Sequence, residues 1–282
     1  LPLRGDRRGQ SAAVGTILAI MVMLTLLTVV TTRWIPVWVE GREAEHSATV
    51  ESQFSSFKQS IDLLAAFGTA GMGVSNPITL GQPGVPIFAP ASSGTINVGD
   101  FGSGLFRNSF AISNETGGFS VATYGAIKLT TANQRFVHQI HQYEFGGVSV
   151  NQSDGQIIKD GPILTFDNSS GQLALRATIV AVAGDGSSFT GDQTVGLRTT
   201  LAFTPADLTI NFTTPQRLWL NISSEMAVAW GQFMQETLSE QLSSTAFNVT
   251  QPSGGTDVAA RVDGVWQVSV RYVVIRAEID VA

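Results

Sequence analysis

The sequence contains no cysteine. That removes disulfides, thiolate metal sites and thiol nucleophiles, and it is unusual for an exported chain, since such chains commonly staple their folds. Cations are scarce as well: Lys58, Lys128 and Lys159 are the only lysines in 282 residues, 13% of residues are charged, and the net charge is −6. No basic cluster follows the N-terminal arginines, so nucleic acid is not an expected partner. Histidine occurs three times, and neither H-E-x-x-H nor G-x-S-x-G is present. GDFGSG at 99–104 lacks the order and the following helix of a dinucleotide fingerprint. With 43% apolar residues over this length, either a sizeable core and assembly supply the stability or the chain belongs to a lineage that does not rely on disulfides.

What is abundant is concentrated at one end. Residues 12–32, AAVGTILAIMVMLTLLTVVTT, are 21 positions without a charge. That suffices to cross the roughly 30 Å hydrocarbon core of a bilayer as a helix. Arg4, Arg7 and Arg8 precede the run against a single Asp6, and Glu40, Glu43 and Glu45 follow it. Basic residues resist translocation, so the N-terminus is expected in the cytoplasm and everything after Arg33 outside. Trp34, Trp38 and Arg33 suit the headgroup level. Pro36 is expected to kink the helix or unwind a few residues between 31 and 39, because it lacks an N–H and crowds the preceding turn. Beyond it, Val39, His46, Val50, Phe54, Phe57, Ile61 and Leu64 recur on one helical face. Glu40, Arg42, Glu43, Glu45, Glu51, Lys58 and Asp62 are assigned to the remaining surface, and Gly68 to the stop. One helix over 12–66 would extend about 80 Å.

Ahead of the apolar run stands Arg7-Arg8-Gly9-Gln10-Ser11. A secretory signal instead places a small-residue cleavage site after a shorter run. The observed order resembles the class III signal of type IV prepilins and archaeal pilin-like proteins. The resemblance implies that a membrane prepilin peptidase recognises Arg8, Gly9 and Gln10, cuts after Gly9, and leaves the hydrophobic helix on the mature chain. Val14 stands at the fifth mature position, where many bacterial pilins carry Glu and archaeal members often do not. Segments 124–166, 198–203 and 208–213 are similar to archaeal surface proteins that join a pilin-like N-terminus to a β-rich domain. No catalytic residue comes with that likeness.

From residue 69 the composition shifts to Gly, Ser, Thr, Val and Phe. Residues 69–94 read as loop with one short strand, and short β-type segments punctuated by turn residues follow to 281, among them 135–143 and 265–281. Alternation at 173–181 and 268–274 predicts strands with one wet face. One helix interrupts them, capped by Ser223 or Ser224, with Met226, Trp230, Phe233, Met234 and Leu238 at helical spacing. The expected fold is α+β: a long N-terminal hydrophobic helix, then a mainly antiparallel β-sandwich-like head with one short helix. The expected parts are a leader at 1–9, an assembly or transmembrane helix and stalk at 10–68, and an extracellular β-rich head at 69–282.

Six of the ten asparagines, Asn114, Asn151, Asn168, Asn211, Asn221 and Asn248, lie in N-x-S/T sequons. Chance would give about two, so N-linked glycans are expected on the outer side. The competing account is that Asn, Ser and Thr co-occur in turns. His138, His141 and Glu144 form H-x-x-H-x-x-E, a metal-like spacing on a helix. On a strand a step of three reverses the side chain, so no metal site is assigned. His46 is read as a packed residue. Asp185, Asp192 and Glu144 lack EF-hand spacing, and the loop at 184–187 is read as a hairpin turn. No cofactor and no catalysis are expected.

The expectation is a structural subunit of an archaeal type IV pilus-like surface filament. It would sit in the cytoplasmic membrane before assembly, polymerise with itself through the apolar helix, and depend on a prepilin peptidase and pilus assembly machinery. The alternative is a non-polymerising membrane-anchored adhesin or surface-layer-associated protein. An anchored hydrolase or ligand-binding protein rests on no visible site.

Overall fold

The computed structural model describes residues 7–84, 89–99, 106–169, 171–250 and 255–280; the side chains of 7–11 and of 185 lie outside that description. The chain opens with helix α1 (Arg7–Val29), passes through a five-residue π turn (Val30–Trp34), and continues as α2 (Ile35–Phe67). The helix does not unwind at Pro36. Instead the Ile35 N–H reaches back five residues to the Val30 carbonyl. This wider turn meets the constraint imposed by Pro36, which cannot donate and whose ring would crowd a normal α turn. Gly68 follows as the stop, its N–H still bonded to the Leu64 carbonyl at 2.8 Å. A Cβ there would come within 2.4 Å of Leu201 Cδ1 and 2.5 Å of the Leu64 carbonyl oxygen, so close approach demands glycine.

Among the described residues, fifteen strands and a third helix make the head. They are β1 (Gly73–Thr79), β2 (Ser93–Gly99), β3 (Ser109–Asn114), β4 (Ser120–Tyr124), β5 (Ala126–Ala132), β6 (Ile140–Glu144), β7 (Gly147–Gln152) and β8 (Gly155–Asp160). Then come β9 (Leu164–Asp167), β10 (Leu173–Ala183), β11 (Asp185–Gly191), β12 (Thr194–Leu201), β13 (Ala206–Ser223), α3 (Ala227–Gln241), β14 (Phe247–Thr250) and β15 (Asp257–Asp280). One sheet runs β1-β12-β15-β13-β3-β4, with β10 and β14 also beside β15 and β9 beside β10. The other runs β11-β2-β5-β6-β7-β8 and is antiparallel throughout. In the larger sheet β10 and β15 pair in parallel, against the antiparallel rule elsewhere. β15 organises that sheet: its 24 residues contact β10, β12, β13 and β14 in turn. A long C-terminal strand is therefore enclosed by the chain's own neighbours, which removes a bare edge.

Among the described residues, two apolar cores divide the head. The first lies between the larger sheet and α3, with Phe110, Leu220, Trp230, Met234, Val262 and Val268 among its members. The second gathers both sheets around α2, whose Val50, Phe54, Phe57, Ile61 and Leu64 pack against Ile78, Ile96, Leu129, Tyr143, Leu197 and Ile275. β10 and β15 form the wall between the cores. Leu175, Ile179, Val268 and Val270 face the first core, while Val180, Val182, Val273 and Ile275 face the second. The wet face expected for these strands is thus present in their early portions, where Arg176 is exposed, and is covered farther along. An alternating pattern gives way there to continuous burial, as it does wherever a strand is covered on both sides.

Two local expectations change, and one strand continues through a proline. The strand expected at 135–143 begins only at Ile140, because the N–H groups of Gln134, Arg135 and Phe136 point at Glu43 and cannot join a ladder. β13 runs through Pro215 without breaking; the proline falls in the irregular pairing between Asn211 and Gln216, where no ladder bond is lost. Helix α3 starts at Ala227, so Ser224 lies before the N-cap position and instead accepts the Met226 N–H at 2.9 Å.

Candidate functional site: a bare helix and the seam that holds it

The two halves of the long helix face different surroundings. Every described residue from 12 to 29 is exposed, and the most apolar stretch has no burial within the chain. Its five threonines, Thr16, Thr25, Thr28, Thr31 and Thr32, return their hydroxyls to carbonyls four residues back at 2.6–2.9 Å. That pattern satisfies each hydroxyl within the helix and leaves an apolar exterior suited to hydrocarbon. Trp34 and Trp38, 58% and 53% exposed, meet edge to face at 6.4 Å just past the π turn.

Past Trp38 the helix is tied to the head by polar contacts along its length. Glu43, only 3% exposed, accepts three consecutive backbone N–H bonds, from Gln134 (2.6 Å), Arg135 (2.8 Å) and Phe136 (2.7 Å). Such a row of amides is an anion-binding nest, here filled by the chain's own carboxylate. His46 Nε2 lies 3.0 Å from the Thr79 carbonyl oxygen. The Gln53 amide accepts the Thr79 N–H and donates to its hydroxyl, covering the end of edge strand β1. Lys58, 5% exposed, pairs with Asp62 at 2.6 Å and approaches Asp160 at 3.5 Å; Glu51 meets Lys159 at 3.1 Å. Apolar burial holds the helix, and these contacts fix its register, because shifting it would strand several buried polar groups.

Glu144 forms a second buried polar centre. It is fully buried, and its Oε1 accepts from the Ser224 hydroxyl (2.5 Å) and Trp230 Nε1 (2.7 Å), while Oε2 accepts from Asn108 Nδ2 (2.8 Å). Burial pushes its carboxyl up, and hydrogen bonds from Ser224, Trp230, Asn108 and Gln142 pull it partly back. The next residue, Phe145, has φ +57°, a left-handed conformation that a bulky residue seldom adopts. Its ring packs against Phe110 and Trp230, at 6.0 and 5.7 Å between centroids. The tight β6–β7 turn thus places a carboxylate and an aromatic ring together beneath α3. Beside it opens a cleft of about 480 Å³ whose lining includes Asn108, Gln142, Ser224, Glu225 and Asp257. Both oxygens of Glu144 are engaged by donors, so the centre cross-links three elements and presents no free base.

The H-x-x-H-x-x-E residues do not converge. His138 is exposed in the loop before β6, His141 is buried against Phe54 with ring centroids 5.8 Å apart, and Glu144 joins the centre above. Among the described residues no cluster of His, Asp and Glu could hold a metal ion. Burial, with the positive charges of His46 and Lys159 as lesser causes, lowers His141 to about 4. His46 is lowered too, by burial, against the opposing pull of its Thr79 bond and of Glu43.

Of the processing residues, Arg8, Gly9 and Gln10 lie in the helical backbone of α1, and their side chains are outside the described set. Pro36 lies immediately after the π turn. Asn168, Asn211, Asn221 and Asn248 are exposed and Asn151 is half-buried. Asn114 differs: it is 7% exposed, its amide nitrogen donates to Thr116 Oγ1 at 2.7 Å, and its oxygen accepts the Phe119 N–H. A glycan there would require the turn to open.

Sequence reasoning missed the buried roles of Glu43 and Lys58, which their charge assigned to the surface although their spacing falls on the apolar face. For Glu43 the spacing to Val39 and His46 already points to the buried face, but the partners that satisfy its charge lie about ninety residues away. No protein family, characterised protein or solved structure matches the chain.

Proposed function

We propose that the chain is a structural subunit of an archaeal type IV pilus-like surface filament. The observation that carries this reading is one helix with two fates: an outer half built into the head and an inner half that is apolar all round and bare. In a bilayer lipid covers the bare half. Outside it, a bundle of identical helices would do so, and the small residues Ala12, Ala13, Gly15 and Ala19 permit close approach. In this reading the peptidase cuts between Gly9 and Gln10, the head faces outward, and glycans occupy the exposed sequons. The head works by contact and shape, without catalysis. Deleting the gene and imaging surface appendages by electron microscopy tests the polymer, with loss of one filament class expected. Mass spectrometry of the native N-terminus tests the processing, with Gln10 expected first.

A second reading is favoured by the exposed Trp34–Trp38 pair, which suits permanent residence at a membrane interface. In that reading the chain is a monomeric anchored adhesin. Appendages unchanged in number and composition after deletion would select it.

A further inference from the structure

The hairpin joining β5 to β6 runs alongside α2, and its direction follows from pairs of contacts. Tyr143 packs on Phe57 (5.0 Å between centroids), His141 on Phe54, and residues 134–136 bond to Glu43. Moving back along β6 therefore moves back along the helix, so the connecting loop, 133–139, points toward α1. Its height is fixed by the Glu43 bonds. Glu43 lies five residues beyond Trp38, about 7.5 Å along the axis. If the exposed tryptophans sit at headgroup level, that rise equals roughly the thickness of the headgroup layer itself, about 5–7 Å per leaflet. A helix tilt of about 20° toward the loop's side would bring it a few Å lower. At that level the loop exposes Arg135, Val137 (37% exposed) and His138.

We infer that the 133–139 loop is a second membrane contact, a prong that rests in the lipid headgroup layer and holds the head at a set angle to the bilayer while α1 is inserted. The partner is the lipid surface: Val137 offers an apolar contact and Arg135 a charge for phosphate. Glu40, Glu45 and Asp154 are exposed at the same end, so the contact is a local one, made by Arg135 and Val137, and does not draw on a basic field. Glu43 is the positioning residue, its carboxylate spent on fixing the loop at this height. The inference rests on the anchored state proposed above.

The absence of cysteine allows clean single-site labelling. The full chain would be reconstituted in vesicles of phosphatidylcholine and phosphatidylglycerol carrying a headgroup nitroxide lipid. A fluorophore would be attached in turn to Val137→Cys, to Phe203→Cys at the far end of the head, and to Leu24→Cys within α1. The Ala70 N–H bonds to Thr204 Oγ1, which places position 203 near the C-terminal end of α2, about 40 Å from Trp38. Quenching at 137 is expected to exceed that at 203 at least twofold, and Arg135→Glu should reduce it. If 137 is quenched no more than 203 while the label at 24 reports hydrocarbon, the prong is overturned and the anchor stands. A label at 24 that reports water overturns the anchor and the prong together.

Discussion

Residues 12–34 and 35–67 belong to one continuous helix, yet only the second half is part of the folded head. The backbone is the same; the side-chain pattern differs. In the first half apolar groups surround the axis, so no single face is favoured for docking, and a lipid or helical environment must cover them all. In the second half one apolar stripe enters a core built from both sheets, and Glu43, His46, Gln53 and Lys58 fix its register. The difference teaches that the stalk is a component of the head and that the head begins near residue 39, well before the composition changes at 69.

Truncation breaks this comparison with the largest expected effect. A chain of residues 39–282 should be a soluble, cooperatively unfolding protein, since it retains α2 and leaves out the bare half. Residues 69–282 should fail to fold, because removing α2 uncovers Ile78, Ile96, Leu129, Tyr143 and Leu197 at once. Circular dichroism and denaturant melting of the two chains check it. A stable 69–282 would show that α2 merely rests on a completed sandwich.

Single substitutions sharpen the contrast. Phe57→Ala should destabilise the 39–282 chain by about 3–5 kcal/mol, as truncation of a buried aromatic usually does. Leu24→Ala in the full chain should change head stability by less than about 0.5 kcal/mol, because Leu24 is 56% exposed and its stretch has no burial among the described residues. Comparable losses at both positions would mean that the halves are energetically coupled.

A smaller, pH-dependent effect separates the seam from the bare helix. His141 titrates near 4 in the fold against 6.5 unfolded, so between these values the unfolded chain binds more protons. Its contribution is complete above pH 6.5 and is lost as the pH falls toward 4, by about 3 kcal/mol in total. Glu144 acts in the opposite sense: with its folded pKa raised, its contribution is complete below 4.5 and is lost as the pH rises through the folded value. Urea unfolding of 39–282 and of its His141→Phe variant isolates the histidine, and the difference between them should grow with pH from 4 to 6.5. A flat difference would show that His141 stays accessible to protons.

Much of this arrangement was legible in the sequence. The charge-free run, the helical period through Leu64, the stop at Gly68 and the β15 alternation all depend on neighbours within a few turns or one strand. What escaped depends on distant partners. A period of 3.6 does put Glu43, between Val39 and His46, and Lys58, between Phe54 and Ile61, on the apolar face; their charge argues for the surface, and the partners that make burial tolerable arrive from the 133–139 loop and from β8. Likewise 135–143 has a strand's composition, and only the Glu43 carboxylate diverts the first part of it. In the sequence Glu144 stands out by its spacing to two histidines, whereas its partners are Asn108, Ser224 and Trp230, brought in by other elements.

The smallest energetic effect tests the boundary itself. Pro36→Ala restores an N–H that can bond to the Thr32 carbonyl, removing the reason for the wide turn between the halves. A π turn holds one residue more than the α turn it replaces. Converting it would therefore rotate α1 relative to the head by about 100°, one residue of helical twist, with little change in head stability. Spin labels at Thr25→Cys and Asn151→Cys in the reconstituted chain should report an altered distance. If the chain polymerises as proposed, the same rotation would turn each head away from its place around the helical bundle, leaving fewer or stiffer filaments. If the spin–spin distance stays unchanged in Pro36→Ala, the wide turn is held by Thr31 and Thr32, whose hydroxyls bond the Leu27 and Thr28 carbonyls just upstream, and the proline only tolerates it.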